Sequence, residues 1–327
     1  MKRILIAAAA AASTMSFGAT NTVELKAGLS NYNDNLDAGS GDAYDGAVNS
    51  FGVARAKWKQ AGDIDAGYSY KFSVNMLSSD TDGDLGLALE SAVLNYTSGM
   101  HMVTVGRHGL GFGGAEDAAT ADIEMMVKSA VMSTAAAREY AMGLFYTAST
   151  EFGKVTLGVA NQEQADADGQ AFSNVLTYNG SFMGGNLLPV IQYATWSGME
   201  DVATEDTETY MSLGLTYKVA GADITVAQHT MTTTFQADGA DDKIESSMAI
   251  GLKYKTGDYR PYLNMITDID DTNSDTKVTT ATTNVGVVHD CGKGVGLQFD
   301  YASSKADTDG AEAETTISLA VNAVIKG

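Results

Sequence analysis

The sequence predicts an all-β protein, an antiparallel transmembrane β-barrel of sixteen strands. Runs of about ten residues alternate between apolar and polar side chains, which is the repeated pattern of strands that cross an outer membrane. In the clearest run, from Ile64 to Met76, Tyr70 and Phe72 share one face and Lys71 lies on the other. The same period of two recurs in the ranges 23–29, 211–217, 248–254, 295–301 and 317–325.

The connections between these runs are of two kinds that alternate along the chain. Short ones centre on glycine, as β-hairpin turns require, and they are Gln60–Asp63, 97–99, 151–153, 183–185, 220–222, 256–258 and 291–294. Longer, aspartate-rich segments lie between them, at 33–45, 78–84, 163–169, 199–208, 238–242, 268–275 and 305–312. Seven short turns make eight hairpins, which gives sixteen strands with short turns at one end and long loops at the other. A barrel of that size encloses an aqueous channel.

The first residues predict export from the cytoplasm. Lys2 and Arg3 precede the apolar run 4–12, and small residues follow at 16–18, the pattern of a cleaved signal peptide. We therefore expect a signal peptide at 1–18 and a barrel domain at 19–327. The apolar run is about half of the ~20 residues that a membrane-spanning helix needs. Cleavage changes the formal charge from -21 to -23 by removing two basic residues, and this balance argues against a nucleic-acid partner.

The connection from Arg107 to Arg138 is far longer than the others. Connections of this length in a compact chain are usually functional or disordered. Apolar residues recur here with the spacing of one helix face, namely Ile123, Met126, Val127, Ala130 and Val131. Acidic residues occupy the opposite side and are expected to face water: Glu116, Asp117, Asp122 and Glu124. In a large barrel, such a segment fits a third loop folded inward to narrow the pore.

Basic residues of the early strands are candidates for the wall facing that loop. Trp58 suits an interfacial aromatic position, which places the alternating residues Arg55, Lys57 and Lys59 inside the barrel. Lys26 and Lys71 also fall at alternating positions that face the lumen, and we group Arg107 with these residues as the basic wall. Acidic and basic groups on opposite sides of a constriction would create a transverse field that resists apolar solutes. The alternative is that Arg55 and Lys57 pair with neighbouring acids such as Asp65 across strands.

No other pattern in the sequence indicates a catalytic, metal or cofactor site. The glycine-rich stretch 109–114 lacks the lysine and the βαβ context of a nucleotide-binding loop. The four histidines, at 101, 108, 229 and 289, have no metal-ligand spacing. The aspartate clusters at 80–84 and 307–310 lack the closing glutamate of a calcium loop. We find no nucleophile, base and orienting group, so an enzyme is not predicted.

Together, the signal peptide, the alternating strands, Gly106-Arg107 near the end of the fifth strand and the long third loop resemble a general Gram-negative porin. The resemblance implies a homotrimer in the outer membrane, in contact with lipid and lipopolysaccharide. It also implies a third loop that bends into the lumen, with its acids facing a ladder of basic residues.

The expected function is passive diffusion of small hydrophilic solutes and ions. Acidic loops should enrich cations within a Debye length, about 8 Å at physiological salt, so modest cation selectivity is predicted. The alternative is a surface-interaction protein, an adhesin or phage receptor whose pore is incidental.

Overall fold

The computed structural model describes residues 19–34, 46–65, 67–79, 85–110, 112, 114–116, 128–137, 140–162, 171–197, 207–235, 242–271, 277–308 and 313–326. These residues form sixteen strands. They are β1 (Thr20–Asp34), β2 (Gly46–Asp65), β3 (Tyr68–Ser79), β4 (Leu85–Ser98), β5 (His101–Gly109), β6 (Tyr140–Thr150), β7 (Gly153–Gln162), β8 (Ala171–Gly180), β9 (Leu187–Ser197), β10 (Thr207–Val219), β11 (Ala222–Thr234), β12 (Lys243–Tyr254), β13 (Tyr259–Asp271), β14 (Val278–Gly292), β15 (Val295–Ala306) and β16 (Glu314–Lys326).

The strands form one closed antiparallel barrel. Each strand pairs with its neighbours in sequence order, and β1 pairs with β16 to close the sheet. The predicted fold class and strand number are therefore confirmed. Helix α1 (Ala130–Ala137) lies between β5 and β6, and Met183–Gly185 forms a 3-10 turn. Within the described part of the chain, no helix is long and apolar enough to cross a membrane.

Side chains alternate between two faces along each strand. On β10, Met211, Leu213 and Leu215 are exposed, whereas Tyr210 and Ser212 are fully buried. The same alternation holds on β11, β12 and β13. We call the face that carries the exposed apolar residues the outer face, and the face that alternates with it the inner face. An apolar exposed belt of this kind is what lipid contact requires.

Aromatic pairs lie on the barrel close to the short turns. Ring centroids are 4.8 Å apart for Tyr68 and Tyr96, 4.5 Å for Tyr259 and His289, and 6.0 Å for Phe152 and Phe182. A further pair, His101 and Tyr146, is joined by a 2.6 Å hydrogen bond. Aromatic rings with polar tips favour the boundary between hydrocarbon and water. The short-turn end of the barrel therefore carries an aromatic girdle.

The first short turn differs from the prediction. Gln60–Asp63 lies within β2, and the chain reverses direction between Asp65 and Tyr68 instead. Gly67 adopts a φ of 91°, which only glycine takes readily, and a methyl group there would lie 2.4 Å from the carbonyl oxygen of Thr97. The other six predicted short turns coincide with observed connections between strands.

Candidate functional site

The described residues of the long connection between β5 and β6 contact the inner face of the barrel. Ala115 lies directly against Gly214 of β10, where an added methyl group would come within 2.3 Å of the Ala115 side chain. Only glycine permits so close an approach of the two backbones. Ala115 is completely buried, and it shares an apolar cluster with Val190 of β9 and Ala227 of β11.

A second apolar cluster joins the beginning and end of this connection to the same wall. Phe112 packs edge-on against Trp196 and Tyr210, with ring centroids 5.3 and 5.5 Å away. Val131 and Ala135 of α1 belong to the same buried cluster. Aromatic pairs in edge-to-face geometry are worth about 0.5–1.5 kcal/mol beyond the area they bury. This cluster therefore joins both ends of the connection to the inner wall formed by β6 to β11.

The first turn of α1 is bonded to side chains of β12 and β13. The backbone N–H of Ala130 donates to Asp268 Oδ1 at 2.9 Å, and that of Val131 donates to Ser247 Oγ at 3.2 Å. The Ser247 hydroxyl in turn donates to Asp268 Oδ1 at 2.5 Å. The first N–H groups of a helix have no partner within the helix, so the barrel wall supplies the acceptors that α1 lacks.

The predicted helix covered residues 123–131, but the observed helix begins at Ala130. Ser129 occupies the preceding position, and its carbonyl accepts a hydrogen bond from Ser133 at 2.9 Å. Residues Ile123, Met126 and Val127 lie outside the described residues. Only the last two positions of the predicted helix, Ala130 and Val131, are seen to be helical.

Glu116 is buried rather than facing water, which corrects the prediction for this residue. Its side chain is 2% exposed, and its two oxygens accept hydrogen bonds from the backbone N–H and hydroxyl of Ser129, at 2.8 and 2.7 Å. His229 of β11 places Nε2 2.9 Å from Glu116 Oε2. This close approach is not a hydrogen bond, and it is an ion pair only when the imidazole carries a positive charge. The other ring nitrogen contacts the hydroxyl of Tyr210 at 3.1 Å.

The remaining acids of the predicted acidic loop, Asp117, Asp122 and Glu124, lie outside the described residues. The Glu116–Ser129 hydrogen bonds nevertheless bound the stretch that contains them. Glu116 and Ser129, which flank residues 117–128, are bonded to each other, and contacts of Glu116 and of the first turn of α1 hold them on β11, β12 and β13.

On the other side of the barrel, Lys57 is paired with an acid of β4. Its Nζ lies 2.6 Å from Glu90 Oε1, with the two side chains 14% and 10% exposed. Ser73 also donates to Glu90, at 2.9 Å. The register between β3 and β4 shifts here, because Ser73 pairs with Ser91 while Val74 pairs with Leu89. Glu90 is the extra residue of this β-bulge, which re-aims its side chain. Pairing with an acid, the alternative to a place in the basic wall, is what the structure shows for Lys57, with Glu90 as the partner.

The other predicted basic residues have different surroundings. Lys71 has the inner-face parity of Ser73 and is exposed. Lys59 contacts Glu24 of β1 at 2.7 Å and is 44% exposed. Lys26 pairs in register with Arg55, just before a shift between β1 and β2, and both side chains lie outside the described residues.

Arg107 does not share the face of Lys57 and Lys71. Its register partner on β6 is Met142, an outer-face residue that is 53% exposed. Its Nε donates to the backbone carbonyl of Glu90 at 3.0 Å. The neighbouring positions Gly106 and His108 have the inner parity instead. The structure therefore does not group Arg107 with the basic wall, because one step along a strand exchanges the two faces.

Sequence reasoning missed several charged residues of the inner face. They lie near the short turns of later strands: Lys154, Lys218, Lys253 and Arg260. Alternation along each strand, which places Lys57 and Lys59 on the inner face of β2, also identifies these residues, since each alternates with exposed apolar neighbours. It would not have found the buried role of Trp196, Tyr210 and His229, because that depends on which distant segment covers them.

No protein-family model matches the sequence, and no curated protein matches it. Solved structures share its fold. OmpT of Vibrio cholerae, an outer membrane protein folded in vitro and in trimer form, superposes with a TM-score of 0.71 at 10% identity, covering 94% of this chain and 99% of that one. An anion-selective porin from Comamonas acidovorans gives 0.68 at 15% identity, covering 94% and 99%. The outer membrane channel DcaP of Acinetobacter baumannii gives 0.67 at 13% identity, covering 95% and 98%. The chain therefore has the fold of outer-membrane porins.

Proposed function

We propose that this chain forms a water-filled channel in the outer membrane of a Gram-negative bacterium, for passive diffusion of small hydrophilic solutes and ions. The observation that carries the proposal is a closed sixteen-stranded barrel whose outer face is apolar and exposed and whose inner face carries charged side chains. A lumen of this width is too large for its own side chains to fill. Its contacts are with lipid and lipopolysaccharide on the outside, and we propose neither an enzyme activity nor a cofactor.

In this proposal the connection between β5 and β6 lies inside the lumen and narrows it. The support is that its described residues contact inner-face residues of β9 to β13, through Ala115, Phe112 and the first turn of α1. The stretch 117–128, with Asp117, Asp122 and Glu124, then extends from a fixed base toward the opposite wall. That wall carries Lys57, Lys59 and Lys71, and we propose that Lys26 and Arg55 extend it.

We further propose modest cation selectivity. The fold does not decide the sign, because one protein of similar structure is described as an anion-selective porin. The charges favour cations here, since the formal net charge is -21 and the long connections are rich in aspartate. The described part of the basic wall offers little opposition, because Lys57 and Lys59 are already paired with Glu90 and Glu24.

A homotrimer is the proposed assembly. It is supported by the trimer form described for the structurally similar OmpT. Each protomer would contain its own complete barrel, since β1 and β16 of the same chain pair with each other. Chemical cross-linking in native membranes, followed by electrophoresis of the unheated protein, tests this assembly.

Single-channel recording in a planar bilayer tests the channel and its narrowing together. The wild type should show discrete conductance steps. A variant in which residues 117–128 are replaced by a short Gly-Ser linker keeps Glu116 and Ser129 and should conduct more current per step. A folded wild-type protein without steps contradicts the channel. An unchanged conductance in the linker variant contradicts the placement of this stretch in the lumen.

A further inference from the structure

The two ends of the barrel carry different charges. The long connections and the strand ends beside them are dominated by acids, most densely at 34–45, 80–84, 163–168, 200–208, 238–245, 268–275 and 307–314. Few basic residues belong to this end, and Lys243, one of them, is paired with Glu245 at 3.2 Å. The long-loop end is therefore strongly negative.

At the short-turn end, the inner face carries lysines. Lys71 lies three residues into β3, Lys154 is the second residue of β7, and Lys218 is the second-last residue of β10. With a rise of about 3.3 Å per residue, each lies within about 10 Å of its strand end. Their parity is that of the inner face, because each alternates with outer-face residues such as Phe72, Leu157 or Tyr217.

These three lysines are exposed, and none forms an ion pair with another described residue. They are spread around the barrel on three separated strands, and Lys253 and Arg260 extend the set to β12 and β13. The short-turn end also carries acids, including Asp63, Asp223 and Asp290. They are too few to give this end the strong negative charge of the long-loop end. The lysines at the short-turn end thus have the opposite charge to the acids at the long-loop end.

We propose that Lys71, Lys154 and Lys218 form an anion-enriching section in series with the cation-enriching long-loop mouth, so that the channel conducts ions better in one direction than in the other. This inference rests on the proposed channel function. A surface lined by one sign of charge raises the local concentration of the opposite ion. Two such sections of opposite sign in series behave asymmetrically, because the direction of the field decides whether ions accumulate or are depleted between them.

The sign follows from the geometry. When the long-loop side is positive, cations enter through the acidic mouth and anions enter past the lysines, so both accumulate inside and the current is large. When the polarity is reversed, both kinds of ion are drawn out through the section that favours them and are not replaced. The effect requires charged sections comparable in width with the Debye length, which is about 30 Å at 0.01 M and about 3 Å at 1 M salt.

The test is the current–voltage relation of single wild-type channels of known orientation. Biotin coupled to Cys291, an exposed cysteine beside the β14–β15 turn, allows streptavidin added to one compartment to identify the short-turn side. The wild type should pass more current with the long-loop side positive, and the ratio should fall toward one as KCl is raised from 0.01 M to 1 M. Equal currents at both polarities at low salt, or more current with the short-turn side positive, overturn the inference while leaving the proposed channel intact.

Two triple variants separate the placement of charge from its amount. K71Q/K154Q/K218Q should lose the asymmetry. Lys243 begins β12, Lys277 directly precedes β14 and Lys305 is the second-last residue of β15. K243Q/K277Q/K305Q therefore removes the same charge from the long-loop end, and this variant should retain or increase the asymmetry. Equal effects of the two variants overturn the assignment to the three short-turn lysines. A folded protein that conducts no current overturns the proposed function as well.

Discussion

Glu116 and Ser129 are joined by two hydrogen bonds across the base of the stretch 117–128. The backbone N–H and the hydroxyl of Ser129 donate to the two carboxylate oxygens of Glu116, at 2.8 and 2.7 Å. An acid that the sequence places on the water-facing side of a loop is instead the residue that closes the loop. Its carboxylate lies against His229 on β11, and it contacts none of the described side chains of the basic wall.

Replacing Glu116 by alanine should loosen this stretch without disrupting the barrel. The Ser129 N–H and hydroxyl would lose their acceptors, and a buried group left without a partner costs about 1–3 kcal/mol. We expect noisier and larger single-channel currents, with unchanged heat-modifiable migration on SDS gels.

Glu245→Ala is the matched control for Glu116→Ala. Glu245 is a partly exposed glutamate toward the same end of the barrel, paired with Lys243. Exposed pairs of this kind contribute about 0–1 kcal/mol, so its currents should match the wild type. Currents of Glu116→Ala that are as quiet as those of the control would contradict the role assigned to Glu116.

Gly214→Ala should push the connection away from the wall. The new methyl group would lie 2.3 Å from the Ala115 side chain, and overpacking of this kind costs about 1–3 kcal/mol. The double variant A115G/G214A removes the colliding atom and should recover wild-type conductance and thermal stability.

Gly296→Ala is the control for Gly214→Ala, because its nearest neighbour would be at 3.5 Å, an ordinary contact. It should behave like the wild type in both measurements. Failure of the double variant to recover would show that Gly214 matters for a reason other than its contact with Ala115.

Lys57→Met should destabilise the barrel more than Lys59→Met. Removing Lys57 leaves Glu90 nearly buried without its cation, and breaking a buried pair costs ~3–5 kcal/mol. The partial exposure of this pair places the expected loss at the low end of that range. Lys59 is 44% exposed, so its loss should cost about 0–1 kcal/mol.

The stability of these lysine variants can be compared by urea unfolding in lipid vesicles. K57M/E90Q should recover part of what K57M loses, because the uncompensated carboxylate is removed. Equal destabilisation by Lys57→Met and Lys59→Met would mean that Glu90 is not held by Lys57.

Ion selectivity should respond to Arg55. Reversal potentials in a KCl gradient should show modest cation preference at low mean salt, weakening as salt rises and the Debye length shortens. Arg55→Ala should shift the preference further toward cations, whereas Lys305→Ala, on the outer face of β15, should shift it less. Anion preference of the wild type at low salt would mean that basic residues dominate the narrowest section.

The barrel could be predicted because its pattern is repeated. The alternation of apolar and polar residues in many segments, and the glycines at the turns, are local properties that can be read directly from the sequence. The one misplaced turn shows the limit: both Gly62 and Gly67 suit a turn, and the alternation of β2 runs through the first of them. Only the positive φ of Gly67 distinguishes the two.

The site could be predicted only in outline. The partner of Glu116 is thirteen residues away and that of Lys57 is thirty-three. The second pairing depends on a β-bulge at Glu90 that no composition signal marks. The assignment of Arg107 to the basic wall is wrong for a related reason. It assumed an inner-face position, which the register of Arg107 with Met142 excludes. Parity along a strand is readable in the sequence, but the partner across the sheet is not.

The pairing of β1 with β16 has a consequence for how the protein folds. Leu29 lies opposite Leu319, so the contact that closes the barrel spans nearly the whole chain. This contact forms against the loop-closure entropy of nearly the whole chain, whereas every other strand pairing joins neighbours in sequence. Until that last contact forms, both terminal strands present unpaired N–H and C=O groups, which lipid cannot satisfy and which invite pairing with another chain. We therefore expect closure of the barrel to accompany insertion into a bilayer, because only the closed barrel leaves no strand edge unpaired.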